Sequence, residues 1–221
     1  MGDDVTVVVC FFKTPRLVER CVHSLRACYP DACLVLVDDG SRDEATEAAR
    51  ALCGDGRAEL VVRPENGGHG AALNDGLARV QTRYAFTLDS DATVERCGFI
   101  ELMRARFLLD PLLFAVGELV AVFDRPIYVR PRAMLLDVEK SREVAPFILH
   151  GAPALSVMAG AARRGWRVED FPICDYVDQH GGSGTRKALR ARLEGGGLDS
   201  REVARFQPRL RDQLRARGRR R

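Results

Sequence analysis

The chain has 221 residues, 46% hydrophobic and 29% charged, with a formal net charge of +3. That length supports one large domain or a domain with an appendage, and the composition predicts a soluble protein with a buried core. The opening MGDDVTVVVCFF carries acids where a signal peptide carries Lys or Arg, so no leader is expected.

Val5 to Phe12 is a continuous β-branched and aromatic run, which predicts a strand buried on both faces. Pro15 opens a helix in which Leu17, Val18, Cys21, Val22 and Leu25 recur at helical spacing, and Pro30 stops it. Cys33 to Val37 is a second buried strand, ending in Asp38, Asp39, Gly40 and Ser41. Asp43 then caps a helix reaching about Cys53. AELVVRPENGG supplies a third strand and a turn, HGAALNDGLARVQ a helix with Leu73, Leu77 and Val80 on one face, and YAFTLDSD a fourth strand. Strands alternating with helices predict a mostly parallel, doubly wound sheet. In such sheets ligands bind beyond the carboxyl ends of the strands. Asp38-Asp39, the Asn66-Gly67-Gly68 loop and Asp89/Asp91 all fall at such ends.

The apolar run Phe107 to Phe123 is interrupted by Asp110, Pro111 and Glu118 and is shorter than the ~20 residues of a membrane span. It reads as a buried helix end followed by a strand. Further on, LVAVF and RPIYVRPRAM read as strands, and APALSVMAGAARRGW as a helix with Leu155, Met158, Ala159 and Ala162 inward. An extended segment then leads into the glycine-rich DQHGGSGT. Residues 201–221 hold nine Arg against Glu202 and Asp212, leaving a mildly acidic body. This tail reads as a solvated helix, with an anionic membrane surface or a second subunit as the alternatives, homo-oligomer included. Nucleic acid is not expected, because only Phe206 interleaves the arginines. The seven cysteines show no CxxC pair, which predicts free thiols in a reducing, cytoplasmic setting.

Asp89 and Asp91, at i and i+2 of a strand end, are expected on one side with Ser90 turned away. Two like charges this close call for a compensating cation, and carboxylate oxygen suits a hard divalent ion that leaves positions open for diphosphate. An acidic pair alone is a common solvated turn. Neither nucleotidyltransferase nor dinucleotide-binding patterning competes: CFFKTPRLVER lacks glycine after the first strand, and GGHGAAL has Leu73 where a third glycine belongs.

VDDGSRDEAT, ENGGHGAALNDG and LDSDATV, in this order and spacing, resemble the family 2 glycosyltransferases of the GT-A fold. The likeness covers residues 5–100 and resumes in HGAPALSVMAGAARRGW and FPICDYVDQHGGSGT. It implies a Rossmann-like GT-A domain over residues 1–185, with a nucleotide half (1–100) and a smaller acceptor half (101–185), followed by a basic tail (186–221). It implies transfer of a sugar from a UDP- or GDP-linked donor to an acceptor hydroxyl, with Mn²⁺ or Mg²⁺ and inversion. Phe11, Asp39, Asn66, Gly68 and Asp89 match nucleotide-binding positions; Asp91 and His180 match metal positions, and Asp38 supports its turn. The resemblance also places an acidic base just before the helix ending in GW, where this chain has Gly151-Ala152-Pro153. Asp137 and Glu139, with Glu118 and Asp175, are the substitutes. A degenerate member that binds nucleotide or a partner without turnover is the alternative.

Overall fold

The computed structural model describes residues 3–122, 125–148 and 153–178; for 121, 122 and 125–127 it describes the backbone. The basic tail, Ala152 and His180 lie outside the described residues. The chain opens with β1 (Val5–Phe11), α1 (Pro15–Cys28), β2 (Cys33–Asp38), α2 (Glu44–Leu52), β3 (Ala58–Val62), α3 (His69–Leu77) and β4 (Tyr84–Asp89). It continues through β5 (Thr93–Val94), α4 (Phe99–Leu109), β6 (Leu113–Val122), β7 (Arg125–Asp137), α5 (Val138–Arg142), α6 (Leu155–Arg163), β8 (Arg167–Asp170), a single 3-10 turn at Ile173–Asp175 and β9 (Val177–Asp178).

Seven strands form one sheet in the order β3-β2-β1-β4-β7-β6-β8. β3, β2, β1 and β4 run parallel, while β7 is antiparallel to both β4 and β6. β5 and β9 form a separate antiparallel ribbon. Alternation along β1 explains the two cores. Val7, Val9 and Phe11 face α1, α2 and α4, and Val8 faces α3 and α6. Both faces are therefore covered, as unalternating apolar strands require.

Asp43 caps α2 by accepting from the Ala45 amide at 3.0 Å, as its sequence position predicts. α6 corrects the expected face: Val157, Met158 and Ala161 are buried, whereas Ala159 and Ala162 are exposed. Gly160 sits against Val144, so the small residues track the neighbouring segment. The cysteines need a larger correction. Cys28, the last residue of α1, is disulfide-bonded to Cys97 just before α4, across a separation of 69 residues. Cys10, Cys21, Cys33, Cys53 and Cys174 remain thiols. Among the described residues no helix is long and apolar enough to cross a membrane.

Candidate functional site

The carboxyl ends of β1, β2, β3 and β4 share one edge of the sheet. Asp38 and Asp39 close β2 with divided labour. Asp38 is fully buried; its carboxylate accepts from the Ser41 amide at 2.8 Å and from the Thr46 hydroxyl on α2. It holds the turn together, as read from the sequence. Asp39, 4% exposed, points to the loop after β3 and accepts from the amides of Gly67 (3.0 Å) and Gly68 (2.9 Å). Arg63 pairs with the same carboxylate and, at 2.6 Å, with Asp75 of α3. Burial nevertheless pushes the Asp39 carboxyl above its usual range, against the pull of the Gly67 amide and Arg63. The Asp39 amide donates to the Phe11 carbonyl at 2.9 Å, which ties β2 to the end of β1.

Two glycines make this corner possible. Gly40 has φ +80°, and a Cβ there would sit 2.6 Å from the Glu65 carbonyl carbon. Gly68, at φ +88°, turns the loop into α3. Asn66 stands between them, and its buried side-chain nitrogen has no hydrogen-bond partner among the described residues. A buried amide left in this state is a donor awaiting a ligand or solvent.

β4 ends at Asp89, and the chain turns at once, with the Ala92 amide donating to the Asp89 carbonyl at 3.0 Å. Strand alternation therefore does not orient the acidic pair, which corrects the expectation. Asp89 is partly exposed to a cleft of about 350 Å³, shared with His69, Tyr128, Arg130, Arg132 and Pro153, whereas Asp91 is 6% exposed. α1 buttresses the turn: the Cys21 thiol donates to the Asp89 carbonyl at 3.4 Å and Arg20 to the Asp91 carbonyl at 3.5 Å. Burial pushes the Asp89 carboxyl upward; His69, at 3.8 Å, and Arg132 pull it down, and Asp91 adds to the rise. A carboxylate pair whose ionisation the protein opposes suits a hard divalent cation. Asp89 and Asp91 thus fit a metal by their chemistry. Among the described residues no three His, Cys, Asp or Glu side chains converge as a complete ligand set.

The base candidates separate. Asp137 pairs with Tyr84 at the start of β4, and Leu88 with Ala133. β7 thus runs away from the acidic edge. Five strand residues at ~3.3 Å each put Asp137 roughly 17 Å from Asp89. Asp137 is spent capping α5, accepting from the Lys140 amide at 3.1 Å, and with Glu139 it lines a second cleft at the opposite end of the sheet. Neither belongs to the acidic edge. Asp175 is exposed in its 3-10 turn. Glu118, in contrast, is ion-paired with Arg132 and, at 3.7 Å, with Arg130, both of which line the Asp89 cleft.

Sequence reasoning missed Arg63, the two cleft arginines and Asn74. Asn74 grips the segment before α6 with two hydrogen bonds, to the Phe147 carbonyl (2.8 Å) and from the Phe147 amide (2.9 Å). Its place in the LNDG stretch of α3 was visible, but its partner lies 73 residues away.

A parallel half-sheet with acids and a glycine loop gathered on one edge, extended by an antiparallel hairpin, is the GT-A architecture. Solved GT-A transferases superpose on it. A mannosyltransferase from Pyrobaculum calidifontis, solved with GDP-Man and Mn²⁺, gives a TM-score of 0.65 at 22% identity, over 76% of this chain and 55% of that one. S. aureus TarS 1-349 gives 0.59 at 14%, over 85% and 64%. The chain belongs to glycosyl transferase family 2, whose model matches residues 6–158. Among curated relatives it is 32% identical over 97 residues to the glycosyltransferase GlyG of Streptococcus pneumoniae, covering 43% of this chain. It is 34% identical over 91 residues to the succinoglycan biosynthesis protein ExoO of Rhizobium meliloti, covering 41%. The chain spans 32% of GlyG and 26% of ExoO.

Proposed function

We propose that this chain transfers a sugar from a UDP- or GDP-linked donor to an acceptor hydroxyl, with Mn²⁺ or Mg²⁺ and with inversion. The observation that carries the reading is the common edge of the sheet, where Asp39 after β2, its glycine loop after β3 and the Asp89/Asp91 turn after β4 all leave the carboxyl ends of parallel strands, on either side of β1. The donor class is supported by structural neighbours, one solved with GDP-Man and Mn²⁺ and another with UDP-GlcNAc.

In this reading Phe11, Asp39, Asn66 and Gly68 receive the nucleoside. Asp39 presents an acceptor-only carboxylate to a uracil or guanine N–H, and Asn66 offers the buried donor described above. Asp91 and His180 would hold the metal, and Asp89 would meet the ribose or a bound water. The ion, when bound, supplies Lewis-acid stabilisation of the leaving diphosphate. The acceptor hydroxyl attacks the anomeric carbon, through an oxocarbenium-like state, from the face opposite the diphosphate. Of the acids considered for the proton, Glu118 stands at the cleft, but Arg132 and Arg130 take up its carboxylate, so the reading gives it no proton.

Thermal shift with UDP-, GDP- and dTDP-sugars plus Mn²⁺ tests the donor, since ligand at 100 times its dissociation constant adds ~2.7 kcal/mol. Asp91→Ala is expected to abolish metal-dependent donor binding and transfer; wild-type behaviour in that variant refutes the metal assignment. Ala152 favours a second reading, a member that binds nucleotide without turnover. Tight metal-dependent binding, with neither donor hydrolysis nor transfer to any acceptor, would select it.

A further inference from the structure

The antiparallel hairpin that extends the sheet is interrupted where it passes the cleft. Gly117 pairs with Met134 and Leu119 with Val129, so Glu118 alone on β6 faces the four residues Arg130 to Ala133 on β7. Bulges of this kind re-aim side chains and recur beside active sites. Here the extra residues are Arg-Pro-Arg, and they line the cleft beside Asp89 and His69. The bulge is fastened from two sides. The buried Thr87 hydroxyl donates to the Pro131 carbonyl, and Glu118 pairs with Arg132 and Arg130. One carboxylate thus serves two guanidinium groups. The buried Nε of Arg132 has no hydrogen-bond partner among the described residues. The Arg130 side chain is 43% exposed, so one fork stays accessible while the other is held.

Planar guanidinium forks bind tetrahedral oxyanions in bidentate fashion. We propose that the Arg130-Pro131-Arg132 bulge is an oxyanion subsite, and that it recognises a phosphate group carried by the acceptor. This rests on the donor reading above, which assigns the donor's diphosphate to the Asp89/Asp91 turn and so leaves the arginine pair for the other substrate. Glu118 is then a positioning residue that sets the spread of the two forks.

The probe is inorganic phosphate, titrated calorimetrically into protein saturated with UDP or GDP and Mg²⁺, so that the donor's own phosphate positions are filled. Saturable binding is expected in the wild type. Arg130→Gln/Arg132→Gln should weaken it about tenfold or more, the scale of losing a charged hydrogen-bond partner, and Arg130→Gln, which leaves Arg132 beside Asp89, should weaken it with nucleotide affinity unchanged. Arg130→Gln alone, at the accessible side chain, decides the matter if the double variant does not fold. Equal phosphate binding in wild type and variant overturns the proposal. So does a parallel loss of nucleotide affinity in Arg130→Gln, which would give that arginine to the donor diphosphate. Wild type that binds nucleotide but no phosphate also overturns it. Wild type that binds phosphate but no nucleotide in any form defeats the donor reading and leaves the subsite standing.

Discussion

Asp39→Ala separates the scaffold role of this carboxylate from its role toward nucleotide. The side chain is 4% exposed and serves the Gly67 and Gly68 amides and Arg63. Its removal leaves two amides without an acceptor, at ~1–3 kcal/mol each. Arg63 keeps Asp75 and is not orphaned. Relief of the buried charge, visible in the raised Asp39 pKa, works the other way. The net expectation is a loss of about 2–4 kcal/mol, or roughly 5–15 °C in Tm for a domain of this size. Because the folded carboxyl titrates above its unfolded value, the folded state holds more protons through that window. The stability of the wild type relative to Asp39→Ala therefore grows as pH falls through the window and shrinks as pH rises. Urea unfolding of both proteins between acid and neutral pH measures this. A loss under about 0.5 kcal/mol, or a gap that narrows on acidification, would refute the argument that Asp39 organises the loop.

Replacing Cys28 and Cys97 by Ser removes a cross-link over 69 residues and should cost about 4 kcal/mol by the loop-entropy relation; thiol counting before and after reduction verifies the bond itself. Gly76→Ala would put a Cβ 2.5 Å from Val8 and 2.9 Å from Val37. It should destabilise by ~1–3 kcal/mol, read by denaturant melts, since α3 meets the sheet there. The Tyr29 hydroxyl accepts from the Gly98 (2.9 Å) and Ile100 (3.3 Å) amides at the start of α4. Tyr29→Phe should lose about 1–3 kcal/mol. Burial pushes the Tyr29 phenol up to about 12. The unfolded chain then releases that proton first, and the stability falls as pH rises from 10 towards 12; the difference in alkaline unfolding between wild type and variant reports it.

β1, β2 and β4 were legible because each is buried on both faces and writes its length as an apolar run, whereas β3, the half-exposed edge strand, was marked by the glycine turn that follows it. Asp43, Pro15 and Pro30 punctuated the helices between them. The acidic edge followed from the rule that parallel strands present their carboxyl ends together. What escaped was long-range. Cys28 and Cys97 lie in different elements with no framework spacing, so nothing local marks them as partners. Asp137 and Glu139 were misassigned because a strand's direction in a mixed sheet is set by tertiary pairing. β7 enters antiparallel, and its last residues go to the wrong end. Asp89 and Asp91 were recognised as a pair, yet the strand stops between them and alternation no longer applies. The arginine bulge was hidden because RPIYVRPRAM reads as an unbroken strand until β6 is laid beside it.

The contact of Gly40 with the backbone of Glu65 and Asn66 has a bearing on engineering. Two connections from different strands have been fitted to each other at a separation that no side chain tolerates. A donor-specificity graft that imports either one from a relative would bring half of a matched set. Chimeras should move residues 38–43 and 63–68 as a single cassette.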